Sequence, residues 1–186
     1  KNGGNFNLTD STITKTGDVS SSNSENSDFY GTNAAVLVLA KSTLNISDCS
    51  IITNATGANA IFVTNSASSN FGAIAYVNNV NISTYKDKSR GLDATYGGTI
   101  IADNVIINTR GGSCAALATD RGEGTVNATN CVLNTGVGQT SGSGSPCIYS
   151  TGSISATNCT GTSYVAEIGC NEEKNSIILK NCNLTG

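Results

Sequence analysis

The chain has 186 residues, of which 12% are charged and 5% aromatic, with a formal net charge of −3 and no histidine. This balance excludes the basic stripe with interleaved aromatics that a nucleic-acid groove needs: only Lys86, Lys88 and Arg90 lie close together, and Asp87 interrupts them. No run of about 18 apolar residues is present to insert into a membrane, and Lys1-Asn2-Gly3-Gly4 lacks the apolar core of a signal peptide, so a processed chain or an excised domain is expected.

Recurrent Ile, Val and Thr, 21 glycines and a single proline favour β-structure over disorder or helix. The first element, residues 6–13, reads apolar-x-apolar-x-(Asn/Asp)-small-x-apolar. The same core, with small departures, returns at 44–51, 75–82, 100–107, 126–133, 154–161 and 177–184, seven copies in all. Alternation with period two describes a strand with one buried face. Across the Asn/Asp the apolar spacing becomes three residues, so the chain must bend there without losing its inward face. One left-handed residue makes that bend, and Asn and Asp enter the left-handed region at the lowest cost of any side-chain-bearing residue.

The corner position is Asp10, Asp48, Asn79, Asn104, Asn130, Asn158 and Asn181. Stacked corners of this kind align their side chains as a hydrogen-bonded ladder. The intervals of 38, 31, 25, 26, 28 and 23 residues are too uneven for a rigid hexapeptide or nonapeptide solenoid. They suit coils of three strands with loops bulging from the corners. The third strand reads at residues 59–63, 91–94, 115–118, 147–150 and 165–168, and polar loops at 18–32, 66–70, 85–90, 110–113, 136–145 and 171–174. The predicted fold is therefore all-β: a right-handed parallel β-helix of about seven coils with an Asn/Asp corner ladder, roughly 30 Å tall. It forms a single domain over residues 1–186, whose coils depend on their neighbours.

Cys49, Cys131, Cys159 and Cys182 occupy the small position after the corner, which Val80 and Val105 fill in other coils. A free cysteine packs as a small hydrophobe, so a core cysteine column is expected, with disulfide or metal as the alternatives. Spacings of 28 and 23 residues between the last three match no zinc motif. Cys114 and Cys147 fall in the third strand of neighbouring coils and are a candidate disulfide.

One charged constellation stands out, Asp93 with Asp120 and Arg121 a coil later; its alternative is a charged turn bent by Gly122 and Gly124. Asn-x-Ser/Thr acceptors at Asn7, Asn45 and Asn127 share one outward column and are candidate glycosylation sites, whereas Asn158 belongs to the ladder. Thr53, Thr109 and Thr135, after the second strand, suggest an outward threonine row, without the regular repeat an ice-binding face needs.

The corner ladder resembles the asparagine ladders of the pectate-lyase-like right-handed β-helix superfold. The segments Gly91-Leu92-Asp93-Ala94-Thr95-Tyr96-Gly97-Gly98, Ala118-Thr119-Asp120-Arg121-Gly122 and Ile148-Tyr149-Ser150-Thr151-Gly152 are similar to adhesin-like surface β-helix proteins of anaerobic microbes. This resemblance runs from about residue 30 to the C-terminus. It implies an extracellular, cell-surface role as a module of a larger protein, with cell-surface glycans as potential partners. Polysaccharide lyases on this superfold use an Arg or Lys base and carboxylate-bound calcium. Asp93, Asp120 and Arg121 are the residues that would supply both, and calcium is expected only under that reading. No resident cofactor or metal is otherwise implied.

The chain opens and closes in the same motif and carries no recognisable cap. Phe6 and Leu8 at one end and Ile177 and Leu179 at the other therefore read as end-stacking strands. A heterologous contact between them would build an open filament. Ile101 with Ile178, and Ile106 with Val132, share outward columns that would suit lateral contact. The expectation is an extracellular structural or adhesive solenoid that self-associates end to end. The alternative is a carbohydrate-binding or lyase-like module.

Overall fold

A computed structural model describes residues 3–18, 24–65, 72–139, 144–170 and 175–186. The loops expected at 66–70 and 171–174 lie outside the described residues, as do residues 140–143 of the loop at 136–145.

The chain winds as a right-handed parallel β-helix with three faces. The first face stacks β1 (Asn5–Thr9), β4 (Thr43–Thr53), β6 (Ile74–Thr84), β8 (Thr99–Asp103), β11 (Thr125–Thr129), β14 (Ser153–Thr157) and β17 (Ser176–Lys180). The second stacks β2 (Thr12–Lys15), the latter halves of β4 and β6, β9 (Ile106–Thr109), β12 (Val132–Asn134), β15 (Thr160–Thr162) and β18 (Asn183–Thr185). Because β4 and β6 run through the corner, these two faces form one continuous sheet. The third face is a separate sheet of β3 (Val36–Val38), β5 (Ile61–Thr64), β7 (Leu92–Thr95), β10 (Leu117–Thr119), β13 (Ile148–Ser150) and β16 (Ile168–Cys170). Every pairing is parallel, and the register aligns the columns read from sequence: Leu44 on Ala75, Ala75 on Ile100, Ile100 with Val126, Val126 with Ile154.

The corners behave as their residue types require. Asp10, Asp48, Asn79, Asn104, Asn130, Asn158 and Asn181 all have φ between 50° and 56°. The Nδ2 of Asn79 donates to Asp48 Oδ1 at 2.6 Å, and Asn104 to Asn79 at 3.2 Å. Asn158 donates to Asn130, and Asn181 to Asn158, both at 3.3 Å. The ladder breaks twice: Asn130 donates instead to Asp103 Oδ1 at 2.9 Å, and no rung joins the carboxylates of Asp10 and Asp48. Every rung points its amide donor toward the N-terminal end, where the carboxylates of Asp48 and Asp10 can only accept.

The cysteine column has a polar task as well as a packing one. Cys49, Cys131 and Cys159 are buried, and each thiol donates to the carbonyl two residues back, at Ser47, Thr129 and Thr157, over 3.0, 3.1 and 3.3 Å. Cys182 does the same to Lys180 at 3.4 Å, and the Ser11 hydroxyl to Thr9 at 2.7 Å. That carbonyl belongs to the residue just before the left-handed corner. A small side chain with a weak donor satisfies it without leaving the core. Gly161, the gap in the following apolar column, sits where a Cβ would overlap the Leu133 carbonyl.

Three expectations are corrected. Cys114 and Cys147 are both free thiols: the register sets Leu117 beside Ile148, so Cys147 stacks on Ala116, while the Cys114 amide donates to Ser145 Oγ at 2.5 Å. Thr53, Thr109 and Thr135 point inward and, with Thr84, form a buried column, because they keep the parity of Ile51, Ile107 and Leu133. The stretch 18–32 is not wholly loop, since it contains α1 (Ser24–Tyr30).

Seven residues are too few to hold a helix alone, and α1 is fixed by docking on the outer side of the third face. Gly31, at φ 64°, closes it against the Phe62 ring, where a Cβ would not fit. Asn59 donates to the Ser27 carbonyl at 3.3 Å, and Thr95 Oγ1 to the Phe29 carbonyl at 3.0 Å. Beneath α1, β5 and β7 are buried on both sides.

Candidate functional site

The outer column of the third face reads Leu37, Phe62, Asp93, Ala118, Tyr149 and Gly169. In most positions an outward aspartate would be solvated. Here α1 closes over it, and Asp93 is fully buried. Neither of its carboxylate oxygens makes a hydrogen bond of normal geometry with a described residue. Its counter-charge is Arg90, three residues earlier in the turn before β7, with Nε 3.6 Å from Asp93 Oδ2.

Arg90 is the centre of the site. Its Nη2 donates to Asp120 Oδ2 at 2.9 Å, and its Nη1 lies 3.6 Å from Asp28 Oδ1 on α1. Lys88 Nζ adds a second cation, 3.1 Å from Asp28 Oδ2. Burial pushes the Asp93 carboxyl up to about 7; Arg90 opposes the shift, while Asp120 and Asp28 add to it. Burial would lower the pKa of Arg90, but the three carboxylates more than offset it, so the guanidinium stays charged.

Two members of the sequence-predicted trio, Asp93 and Asp120, are thus brought together, but around Arg90 rather than Arg121. Arg121 turns to α1, where its Nη1 meets Glu25 Oε1 at 2.6 Å and its guanidinium lies 3.8 Å from the Phe29 ring centre. Tyr30 and Tyr96 stack alongside at 5.7 Å. Arg90 was visible only as part of a broken basic run, and Asp28 lay within a stretch read as loop. The signal that would have found Arg90 is its place three residues before Asp93, in the turn that leads into β7.

Past the edge of α1 the third face opens into a groove of about 500 Å³, lined by Phe29, Arg90, Ser113, Asp120, Pro146 and Tyr149. Among the described residues, no group of three or more acidic or cysteine side chains is placed to hold a metal ion. The carboxylates that calcium would need already converge on Arg90.

Asn7, Asn45 and Asn127 are exposed on one outward column of the first face. Asn45 donates to Asn7 at 2.9 Å, and Asn127 Oδ1 accepts from Ser155 Oγ at 2.6 Å.

The two ends present the remaining candidate surface. Among the described residues, β1, β2 and β3 pair on one side only, as do β16, β17 and β18 at the far end. Phe6 is 59% exposed and Leu179 39%, with Leu8 and Ile177 half-buried. Phe6, Leu8, Ile13, Val36 and Val38 line an apolar hollow of about 580 Å³ at the N-terminal end. Compared with protein-family models, curated proteins and solved structures, the chain matches none. The class is therefore defined by the fold alone: a parallel β-solenoid with a corner ladder.

Proposed function

We propose that this chain is a structural, adhesive β-solenoid of the cell exterior that associates end to end. The observation that carries the reading is that the first and last described coils repeat the same strand–corner–strand motif in the same register, with Phe6 and Leu179 exposed. Among the described residues, β1, β2 and β3 on one side and β16, β17 and β18 on the other pair with one neighbour each, and a strand edge left unpaired is a template for a further strand. The resemblance to adhesin-like and pectate-lyase-like β-helices supports the extracellular setting, and burial of Cys49, Cys114, Cys131, Cys147 and Cys159 keeps those thiols from exchange. Electron microscopy of natively purified protein is expected to show thin fibres with an axial repeat of seven rungs, about 34 Å. Dispersed particles at high protein concentration would refute end-to-end association.

A second reading, a glycan-binding module, is favoured by the third-face groove, where Tyr149 and Phe29 offer apolar faces beside Arg90 and Asp120. It predicts binding to a panel of cell-surface polysaccharides that Asp120→Ala weakens. Binding indifferent to that change, or none, would remove the groove as a glycan site.

A further inference from the structure

From the outer side of the second face we infer a further binding site, a small cradle of hydrogen-bond donors that takes a sulfate ester on a glycan. Ser83, Tyr85, Asn108 and Arg110 form it, on two neighbouring coils with described coils on either side. It goes beyond the readings above and involves neither the third-face groove nor the terminal strands.

Ser83 pairs with Asn108 in the parallel register of β6 and β9, and both take the outward parity beside the buried Thr84 and Thr109. Tyr85 and Arg110 follow those threonines and are exposed. Rungs are about 4.8 Å apart, so the Arg110 side chain can lie back over the earlier coil. Its guanidinium carbon sits 4.5 Å from the centre of the Tyr85 ring. Stacking holds the planar group by its face and leaves its N–H edge for other partners. Among the described residues no carboxylate forms an ion pair with it. Asp87, two residues beyond Tyr85, accepts from the Gly112 amide at 2.8 Å instead.

The hydrogen bonds beside Arg110 run in one direction and then stop. Thr162 Oγ1 donates to Asn134 Oδ1 at 3.2 Å, and Asn134 Nδ2 to Asn108 Oδ1 at 3.0 Å. The next rung would fall on Ser83, whose hydroxyl sits too close to its own backbone to complete it. Asn108 has thus spent its oxygen, while its Nδ2 and the Ser83 hydroxyl have no partner among the described residues. Both residues border a hollow of about 250 Å³, together with Tyr85, Arg110 and Val137.

The cradle therefore holds one fixed positive charge and two neutral donors, and no carboxylate lines it. A sulfate monoester matches that inventory, with one negative charge and three terminal oxygens for three donor groups. A carboxylate has the charge but only two oxygens, and a phosphate monoester brings up to about two charges against one guanidinium. The polar outer column that continues past the cradle, Asn134 and Thr162, suits the hydroxyls of a sugar chain better than the apolar side chains of a sulfated peptide.

The test is calorimetric binding to three polymers on one backbone: dextran sulfate, carboxymethyl dextran and unmodified dextran, at about 0.15 M salt. Dextran sulfate should bind, carboxymethyl dextran about tenfold more weakly, and dextran not at all. Arg110→Gln should weaken binding of dextran sulfate about tenfold. Arg110→Lys should recover only part of that loss, because a point charge lacks the stacked fork, and Asn108→Ala should weaken binding by a smaller factor. Lys41→Gln removes a charge of the same sign from the turn before β4 and should leave the affinity unchanged. Melting of each variant is the control for folding. If Arg110→Gln binds like the parent, or Lys41→Gln loses as much, the cradle is overturned in favour of general attraction. If carboxymethyl dextran binds as tightly as dextran sulfate, the sulfate assignment is overturned. A parent that binds none of the three polymers overturns the site.

Discussion

Replacing Arg90 with methionine is expected to lower the unfolding free energy by about 3 kcal/mol at neutral pH. Methionine keeps much of the apolar stem, so lost packing is a minor part of the effect. What is lost is the one cation facing three carboxylates, with Nε 3.6 Å from Asp93 and Nη2 2.9 Å from Asp120. Asp93 can escape by taking a proton, but Asp28 and Asp120 both lose the guanidinium they share, and Lys88 remains on Asp28. Because Asp28 belongs to α1, the helix should release first. Urea unfolding followed by circular dichroism measures the loss. A change below about 1 kcal/mol would show that the cluster is not what holds α1 to the third face.

Asp93→Asn is expected to act in the opposite direction, and only where the wild-type carboxyl would ionise. In the folded chain Asp93 titrates at about 7, against 3.8 for an ordinary aspartate. Between those values the folded state keeps a proton that the unfolded chain has released. Wild-type stability therefore falls as pH rises through this window, by about 1.4 kcal/mol per pH unit at most, and levels off above it. Below the window the carboxyl is protonated in both states, and its stabilising contribution is fully present. Asparagine cannot ionise, so the variant should gain on the wild type from about pH 4 to about pH 7 and hold that gain above. Comparing the two proteins cancels the other carboxylates. A difference in urea midpoint that stays flat with pH, or that favours the wild type at neutral pH, would contradict the burial of an ionisable Asp93.

The division between what the chain announces and what it conceals follows from the range of the interactions. The seven corners were legible because a left-handed backbone position leaves its mark on a single residue type, and all seven Asn/Asp positions take positive φ. The first two inward columns were legible because alternation is local. The same locality misled the reading of Asp120 and Arg121. They are adjacent in sequence, yet Asp120 meets Arg90 while Arg121 reaches α1.

By itself, then, the sequence determined the solenoid, its ladder, its cysteine column and the shared register of its seven motifs. Each is written in side-chain period and corner chemistry, which are properties of neighbouring residues. Only the tertiary structure decided that α1 folds back over the third face and turns Asp93 from a surface charge into a buried acid. That contact joins Asp28 to Lys88 and Arg90, some sixty residues away, and no local period records a pairing between a loop and a sheet. The stacking of Cys114 on Ser145 was decided the same way, by inter-coil register, which loop lengths set and a single coil does not reveal, whereas the inward turn of Thr53, Thr109 and Thr135 follows the local parity of Ile51, Ile107 and Leu133.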